Sequence, residues 1–212
     1  MIYQAVIFDL DGVICSTDQY HYLAWKEIAD DEGIYFDEQI NNRLRGVSRM
    51  ESLEIILEKA SRTYAEDEKS ALAEKKNQIY RKLLERMTPA ELSEDVAGTL
   101  KELKKRGVKI AIGSSSKNTP VILKQIGLSG SFDAVSDGNN ITKSKPDPEV
   151  FLTAAGMLKE DAKSCLVVED AQAGVAAAKA GGFDCAGIGE ASEDAAITYS
   201  IRKISDLLEI LK

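Results

Sequence analysis

Four acids stand in two pairs, and each pair closes an apolar run. In Ala5-Val-Ile-Phe-Asp-Leu-Asp-Gly-Val13 the run ends in Asp9 and Asp11, one residue apart, followed by Gly12. Side chains at i and i+2 of an extended chain leave the same side, so both carboxylates can enter one small space. Ser164-Cys-Leu-Val-Val-Glu-Asp170 repeats the arrangement with Glu169 and Asp170 just before a helical pattern. Hard oxygen groups with room for water and phosphate suit Mg²⁺. Two further stretches could hold an anion. Ile112-Gly-Ser-Ser-Ser-Lys-Asn118 ends a strand-like run in small residues, and Ser114 can offer a hydroxyl with nearby amides to a phosphate. Ser144-Lys-Pro-Asp-Pro148 adds an ammonium, Lys145, whose backbone is stiffened by Pro146. Each has a plainer reading. Paired Asp is common in strand-ending turns, Asp170 suits a helix N-cap, and Lys145 could be a solvated loop lysine.

The elements that must position these groups follow from the pattern. Tyr3 to Phe8 has the length and β-branched content of a buried strand, which puts Asp9 and Asp11 at its carboxyl end. In an open parallel sheet the crevice beyond those ends is where ligands bind. From residue 94 helix and strand alternate, as crossover connections require, with strands at Val108 to Ile112, Phe132 to Ser136, Ser164 to Val168 and Asp184 to Gly187, five in all with the first. Gly107, Gly127 and Gly181 fit helix C-terminal caps, and Asp147-Pro148 and Asp170 fit helix starts. Residues 17–87 contain no strand-like run. A first helix is expected to open at Ser16-Thr-Asp-Gln19, a capping box by spacing, and to stop near Gly33. Ser48-Arg-Met-Glu51 is a second such box, opening a helix with Met50, Leu53, Leu57 and Ala60 on one stripe. A third runs from Glu66 to Met87, with Pro89 beyond it. The expected architecture is a doubly wound parallel-sheet, Rossmann-like α/β core from residues 1–16 and 88–212, with an all-helical cap inserted at 17–87. Cys15 to Thr17 and Met87 to Pro89 would be its hinges.

Three polar residues of the insert stand out. Lys76 shares a helical stripe with Leu72, Ile79 and Leu83, so a cation lies on the face that should be buried, unless it snorkels to solvent. His21 shares a face with Trp25 and Ile28 and, taken alone, reads as a satisfied histidine beside a packing tryptophan. Arg49 sits in the first turn of its helix, against the dipole, where a phosphate could use both the amides and the guanidinium.

The bulk properties bound the partners. A chain of 212 residues with 44% hydrophobic and 29% charged residues describes an ordinary globular protein. A formal charge of −8 argues against broad nucleic-acid or anionic-membrane surfaces, while a phosphorylated small molecule needs only local cations. No apolar run approaches the ~18 residues of a membrane span, and strand residues begin at once, so a cytoplasmic protein is expected. Cys15, Cys165 and Cys185 are odd in number and lie in or beside strand-like runs, which suits reduced, packed thiols.

Asp9-Leu-Asp-Gly-Val13, Ser114, Lys145 and Glu169-Asp170, in that order, resemble the motifs of the haloacid dehalogenase superfamily of phosphotransferases. His21, Trp25, Leu44-Arg-Gly-Val-Ser-Arg49 and Lys76 are similar to its β-phosphoglucomutase family. The likeness runs from residue 2 to about 190 and fades in the tail after Gly189. It implies an isomerase that converts β-D-glucose 1-phosphate to glucose 6-phosphate through a β-glucose 1,6-bisphosphate. Asp9 would be the nucleophile, becoming an aspartyl-phosphate, and Asp11 the general acid and base. Asp9, the backbone carbonyl of Asp11, Glu169 and Asp170 would hold Mg²⁺, with Ser114 and Lys145 on the transferring phosphate. The other phosphate would rest on Arg49, closed from the core side by Ser116, Lys117 and Asn118. Gly46, Val47, Ser48, Ser52, Lys76, His21 and Trp25 would line the substrate site, and Thr17 would be a hinge that, with His21, links cap closure to Asp11. A monomer is expected. The core motifs are shared with sugar-phosphate phosphatases, in which water replaces the sugar hydroxyl. A catalytically silent sugar-phosphate binding protein is the third reading.

Overall fold

In the computed structural model, which describes residues 3–44 and 47–212, six strands form one parallel sheet in the order β3-β2-β1-β4-β5-β6. These are β1 (Ala5–Phe8), β2 (Lys109–Gly113), β3 (Ala134–Ser136), β4 (Cys165–Glu169), β5 (Asp184–Gly187) and β6 (Tyr199–Ser200). β1 lies between β2 and β4, with Ala5 to Phe8 in register with Lys109 to Ile112 on one side and Cys165 to Val168 on the other. Both β1 and β4 are buried throughout, which is why they read as continuous apolar runs rather than alternating ones. Strand order reverses between β1 and β4, the position at which an open sheet of this kind leaves a crevice. Asp9 follows one of these strands, and Glu169 ends the other.

Helices α5 (Glu94–Lys105), α6 (Thr119–Gln125), α7 (Glu149–Leu158), α8 (Gln172–Ala180) and α9 (Leu207–Ile210) accompany the sheet. α5 shows how local sequence decides such an element. Ser93 caps it by accepting from the Val96 amide at 3.2 Å, and Val96, Thr99, Leu100 and Leu103 bury one face at helical spacing. α7 packs Val150, Phe151, Ala154 and Ala155 into an apolar cluster with Ile7, Val167 and Val175.

The chain divides into two compact units, Met1–Ser16 with Thr88–Lys212, and Thr17–Met87. The second holds α1 (Asp18–Asp31), α2 (Glu38–Asn42), α3 (Arg49–Leu57) and α4 (Glu66–Leu84). Its own core gathers Trp25, Ile28, Phe36, Ile40, Leu53 and Ile56.

The structure corrects several local expectations. The Ser16–Gln19 box does not open α1, which starts at Asp18 with Thr17 in the capping position and no side-chain cap bond. The Ser48–Glu51 box does form: Glu51 N–H donates to Ser48 Oγ at 3.3 Å and Ser48 N–H to Glu51 Oε2 at 2.8 Å. Met50, however, is 38% exposed, and the buried face of α3 is Ser52, Leu53 and Ile56. α2 is too short for periodicity to announce it; Asp37 caps it by accepting from Ile40 at 2.9 Å. Gly181 is the C-cap of α8, as expected, and the left-handed residue is the next one, Gly182 (φ 77°). The largest difference is the tail. Beyond Gly189 it adds β6 beside β5, and Tyr3 donates to Asp184 at 2.8 Å while its hydroxyl meets that of Tyr199 at 3.2 Å. A two-residue strand has too little sequence for periodicity to show. Among the described residues no helix is long and apolar enough to cross a membrane, and the three cysteines are buried and free.

Candidate active site

The loop after β1 is closed on itself. Gly12 N–H donates to Cys15 O at 2.8 Å and Ile14 N–H to Leu10 O at 3.0 Å, while Asp9 N–H is held by Val168 O at 2.9 Å. Gly12 has φ +83°, and a Cβ built there would lie 1.9 Å from Asp170 Oδ2. Only glycine lets the Asp9–Asp11 loop and the Asp170 carboxylate come this close.

Glu169 is 1% exposed and ties three groups together. Its Oε2 accepts from the Asp170 and Ala171 amides at 2.9 and 3.0 Å, just before α8 begins. Its Oε1 accepts from the Lys145 ammonium, which also donates to Asp9 Oδ1. Asp170 is not the N-cap of α8; Ala171 occupies that position, with no side-chain cap bond. Lys145 is buried, not a solvated loop lysine, and its ammonium also lies 4.7 Å from the Phe151 ring.

Burial pushes the Asp9 carboxyl well up, and the nearby Glu169 and Asp170 add to this against the opposing pull of Lys145. Asp170 is pushed up to about 7 by burial, then by Glu169 and Asp11. Burial pulls Lys145 down, but Asp9 and Glu169 more than offset it and keep the ammonium charged. Lys145 thus bridges two of the four acids, Asp9 and Glu169. Among the described residues no three His, Cys, Asp or Glu groups stand close enough to hold a metal ion between them alone. Mg²⁺ ordinarily takes one or two carboxylates and completes its shell with water and phosphate, so carboxylates of this set with the carbonyl of Asp11 suit a divalent cation.

Ser114, Ser116, Lys117 and Asn118 lie in the turn from β2 to α6. Ser114 is buried, its amide held by Ser136 O at 3.0 Å and its Oγ accepting from Ser116 N–H at 3.2 Å. A hydroxyl that accepts can still donate to an oxyanion. Ser116 Oγ likewise accepts from the buried Asn118 amide at 3.2 Å. Lys117 is exposed, and its carbonyl accepts from Asn139 at 3.0 Å.

The cap has a polar cluster of its own. Lys76 on α4 is 3% exposed, so it does not snorkel. Its ammonium lies 2.7 Å from His21 Nδ1, 4.9 Å from the Trp25 ring and 4.6 Å from that of Tyr80. Burial, then Lys76 and Arg49, hold His21 well below its usual pKa. The ring is therefore neutral: Nδ1 accepts from Lys76 and Nε2 carries the proton. Trp25 is buried packing beneath a cation. Tyr80, which stacks on His21 with centroids 4.1 Å apart, escapes the sequence reading although it sits four residues after Lys76 on one helical face. Arg49 is half-buried and 3.6 Å from Glu74. The amides of Ser48 and Glu51 are taken by the capping box, so an anion at the start of α3 would depend on Arg49 more than on these donors. Ser52 is buried, Val47 is exposed, and Thr17, also buried, stands at the boundary of the two units. Gly46 lies outside the described residues.

Known proteins resemble this chain in both sequence and fold. The family described as haloacid dehalogenase-like hydrolase matches residues 3–182. A β-phosphoglucomutase of Bacillus subtilis is 43% identical over 211 residues, 98% of this chain and 93% of the relative. A fructose-1-phosphate phosphatase of Escherichia coli is 32% identical over 183 residues, 86% of this chain and 94% of the relative. The crystal structure of a β-phosphoglucomutase from Clostridium difficile superposes with a TM-score of 0.89 at 35% identity, covering 99% of this chain and 95% of that one.

Proposed function

The chain belongs to the haloacid dehalogenase-like hydrolase family, and from that premise we propose that it is a β-phosphoglucomutase. It interconverts β-D-glucose 1-phosphate and β-D-glucose 6-phosphate through a phospho-aspartate and a β-glucose 1,6-bisphosphate. The observation that carries this reading over a phosphatase is the buried cation of the cap. Lys76, paired with neutral His21 and near Arg49, is a costly arrangement that hydrolysis of a single phosphate would not need.

An Asp9 carboxylate oxygen attacks phosphorus in line, the bond from phosphorus to the sugar oxygen breaks, and Asp11 gives that oxygen its proton. When the bisphosphate gives up its 1-phosphoryl group in this way, glucose 6-phosphate leaves. Asp11 then takes the proton from the 6-hydroxyl of an incoming β-glucose 1-phosphate, which attacks the aspartyl-phosphate, restores Asp9 and regenerates the bisphosphate. Lys145 and Ser114 stabilise charge on the transferring oxygens. Arg49 grips the phosphate that is not transferring, while Trp25 packs beneath the Lys76 ammonium. Asp9, the carbonyl of Asp11 and Asp170 would hold Mg²⁺, with Glu169 beside them anchored on Lys145 and the Asp170 and Ala171 amides, and the ion would supply charge neutralisation of the phosphoryl oxygens.

The test compares two activities in one preparation. With Mg²⁺ and a trace of bisphosphate, β-glucose 1-phosphate should yield glucose 6-phosphate in large excess over free phosphate. Arg49→Ala should lose about 1.5–3 kcal/mol of transition-state stabilisation in isomerisation, while phosphate release from acetyl phosphate changes far less. Free phosphate as the main product, or equal losses in the folded variant, would move the assignment to a sugar-phosphate phosphatase, the activity of the Escherichia coli relative.

A further inference from the structure

Lys145 follows a loop that has little packing to hold it. Thr142, Lys143 and Ser144 are all exposed, yet the ammonium of the very next residue must reach a buried position between Asp9 and Glu169. Hydrogen bonds from outside the catalytic set supply the restraint. Glu149, in the first turn of α7, takes three donors on one carboxylate: Thr142 N–H on Oε1 at 2.9 Å, and the Thr142 hydroxyl and Lys143 N–H on Oε2 at 2.9 and 2.7 Å. Asp147 in turn accepts from the Glu149 amide at 3.0 Å. On the far side, Lys145 N–H donates to the Ser115 hydroxyl at 3.2 Å. Three bonds to one acid at a helix start exceed what capping requires, because they run to the preceding loop and not to the helix's own amides.

We infer that Glu149 is a positioning residue for phosphoryl transfer, fixing the 142–145 loop so that the Lys145 ammonium stays between Asp9 and Glu169, with Ser115 as the second anchor. A lysine has a long flexible stem, and a loop free to shift would let the ammonium leave the oxygens where charge develops. The Glu149 carboxylate suits this role, since its bonds to Thr142 and Lys143 hold its pKa below the usual range and keep it ionised and accepting. The inference rests on the reading that Lys145 stabilises the transferring phosphate.

The experiment is a double-mutant cycle on the full chain, with kcat and KM for β-glucose 1-phosphate measured alongside thermal unfolding. Glu149→Ala should lower kcat roughly 10- to 100-fold, the cost of a misplaced catalytic group, with little change in KM. Glu149→Gln, which keeps one acceptor oxygen, should recover most of it. In the Lys145→Ala background the same Glu149→Ala change should alter kcat less than about twofold, since its effect passes through the missing ammonium. Thr142→Val, a mild change at an exposed site, should give a smaller loss, again in kcat, should Glu149→Ala fold poorly. Unchanged kcat in a folded Glu149 or Thr142 variant, or the same fold-loss with and without Lys145, would overturn the inference. Full turnover in Lys145→Ala alone would remove the reading beneath it, and the inference with it.

Discussion

His21 shows how a single side chain reports the charge around it. Burial, Lys76 and Arg49 all disfavour its protonation, so its folded pKa lies well below the ordinary 6.5. Its contribution to stability is therefore complete above about pH 6.5, where the unfolded chain is also neutral, and is lost as pH falls toward the folded pKa. Across that window the protein should lose up to about 1.4 kcal/mol per pH unit relative to His21→Gln, whose side-chain oxygen can still accept from Lys76. Urea unfolding of both proteins at pH 8, 6 and 5 measures the difference. A gap that does not change with pH would mean that His21 is not held neutral.

At the scale of elements, α8 is built to approach β4. Gly174, in its first turn, has no Cβ, and one placed there would lie 1.8 Å from Glu169 Oε1 and 1.9 Å from its carboxyl carbon. Glu169 cannot move aside without leaving Lys145 and the Asp170 and Ala171 amides. Gly174→Ala should therefore raise helix propensity and still destabilise the protein by about 1–3 kcal/mol through overpacking. It should also raise the Mg²⁺ concentration needed for half-maximal turnover. Urea unfolding and a metal titration test both parts, and wild-type behaviour in each would show that the close approach is dispensable.

The whole molecule separates fold from function in its dependence on metal. Among the described residues the sheet and the apolar clusters are built by side-chain packing, whereas Asp9 and Glu169 meet on the Lys145 ammonium. A chelator should end turnover while leaving the far-UV circular dichroism intact. Added Mg²⁺ should restore activity and raise the unfolding temperature, by about 2.7 kcal/mol of stability at a hundredfold excess over Kd. Unfolding on chelation, or turnover that survives it, would contradict the proposed role of the acids.

Much of this was legible from the chain alone, because some constraints are local. Apolar runs ending in Asp9 and Glu169 mark buried parallel strands, and the Ser48–Glu51 box marks a helix start, since both depend on neighbours within a few residues. Stripe position likewise put Lys76 on a buried face. What only the tertiary structure decided involves groups far apart in sequence. Spacing cannot say that Glu169 accepts from the Ala171 amide, that Lys145 bridges acids 136 and 24 residues away, or that Tyr80 stacks on His21. Nor can it find β6, whose two residues become a strand only because β5 offers an open edge. Periodicity reads the burial of a face; the partner of a buried charge is set by what the fold brings to it.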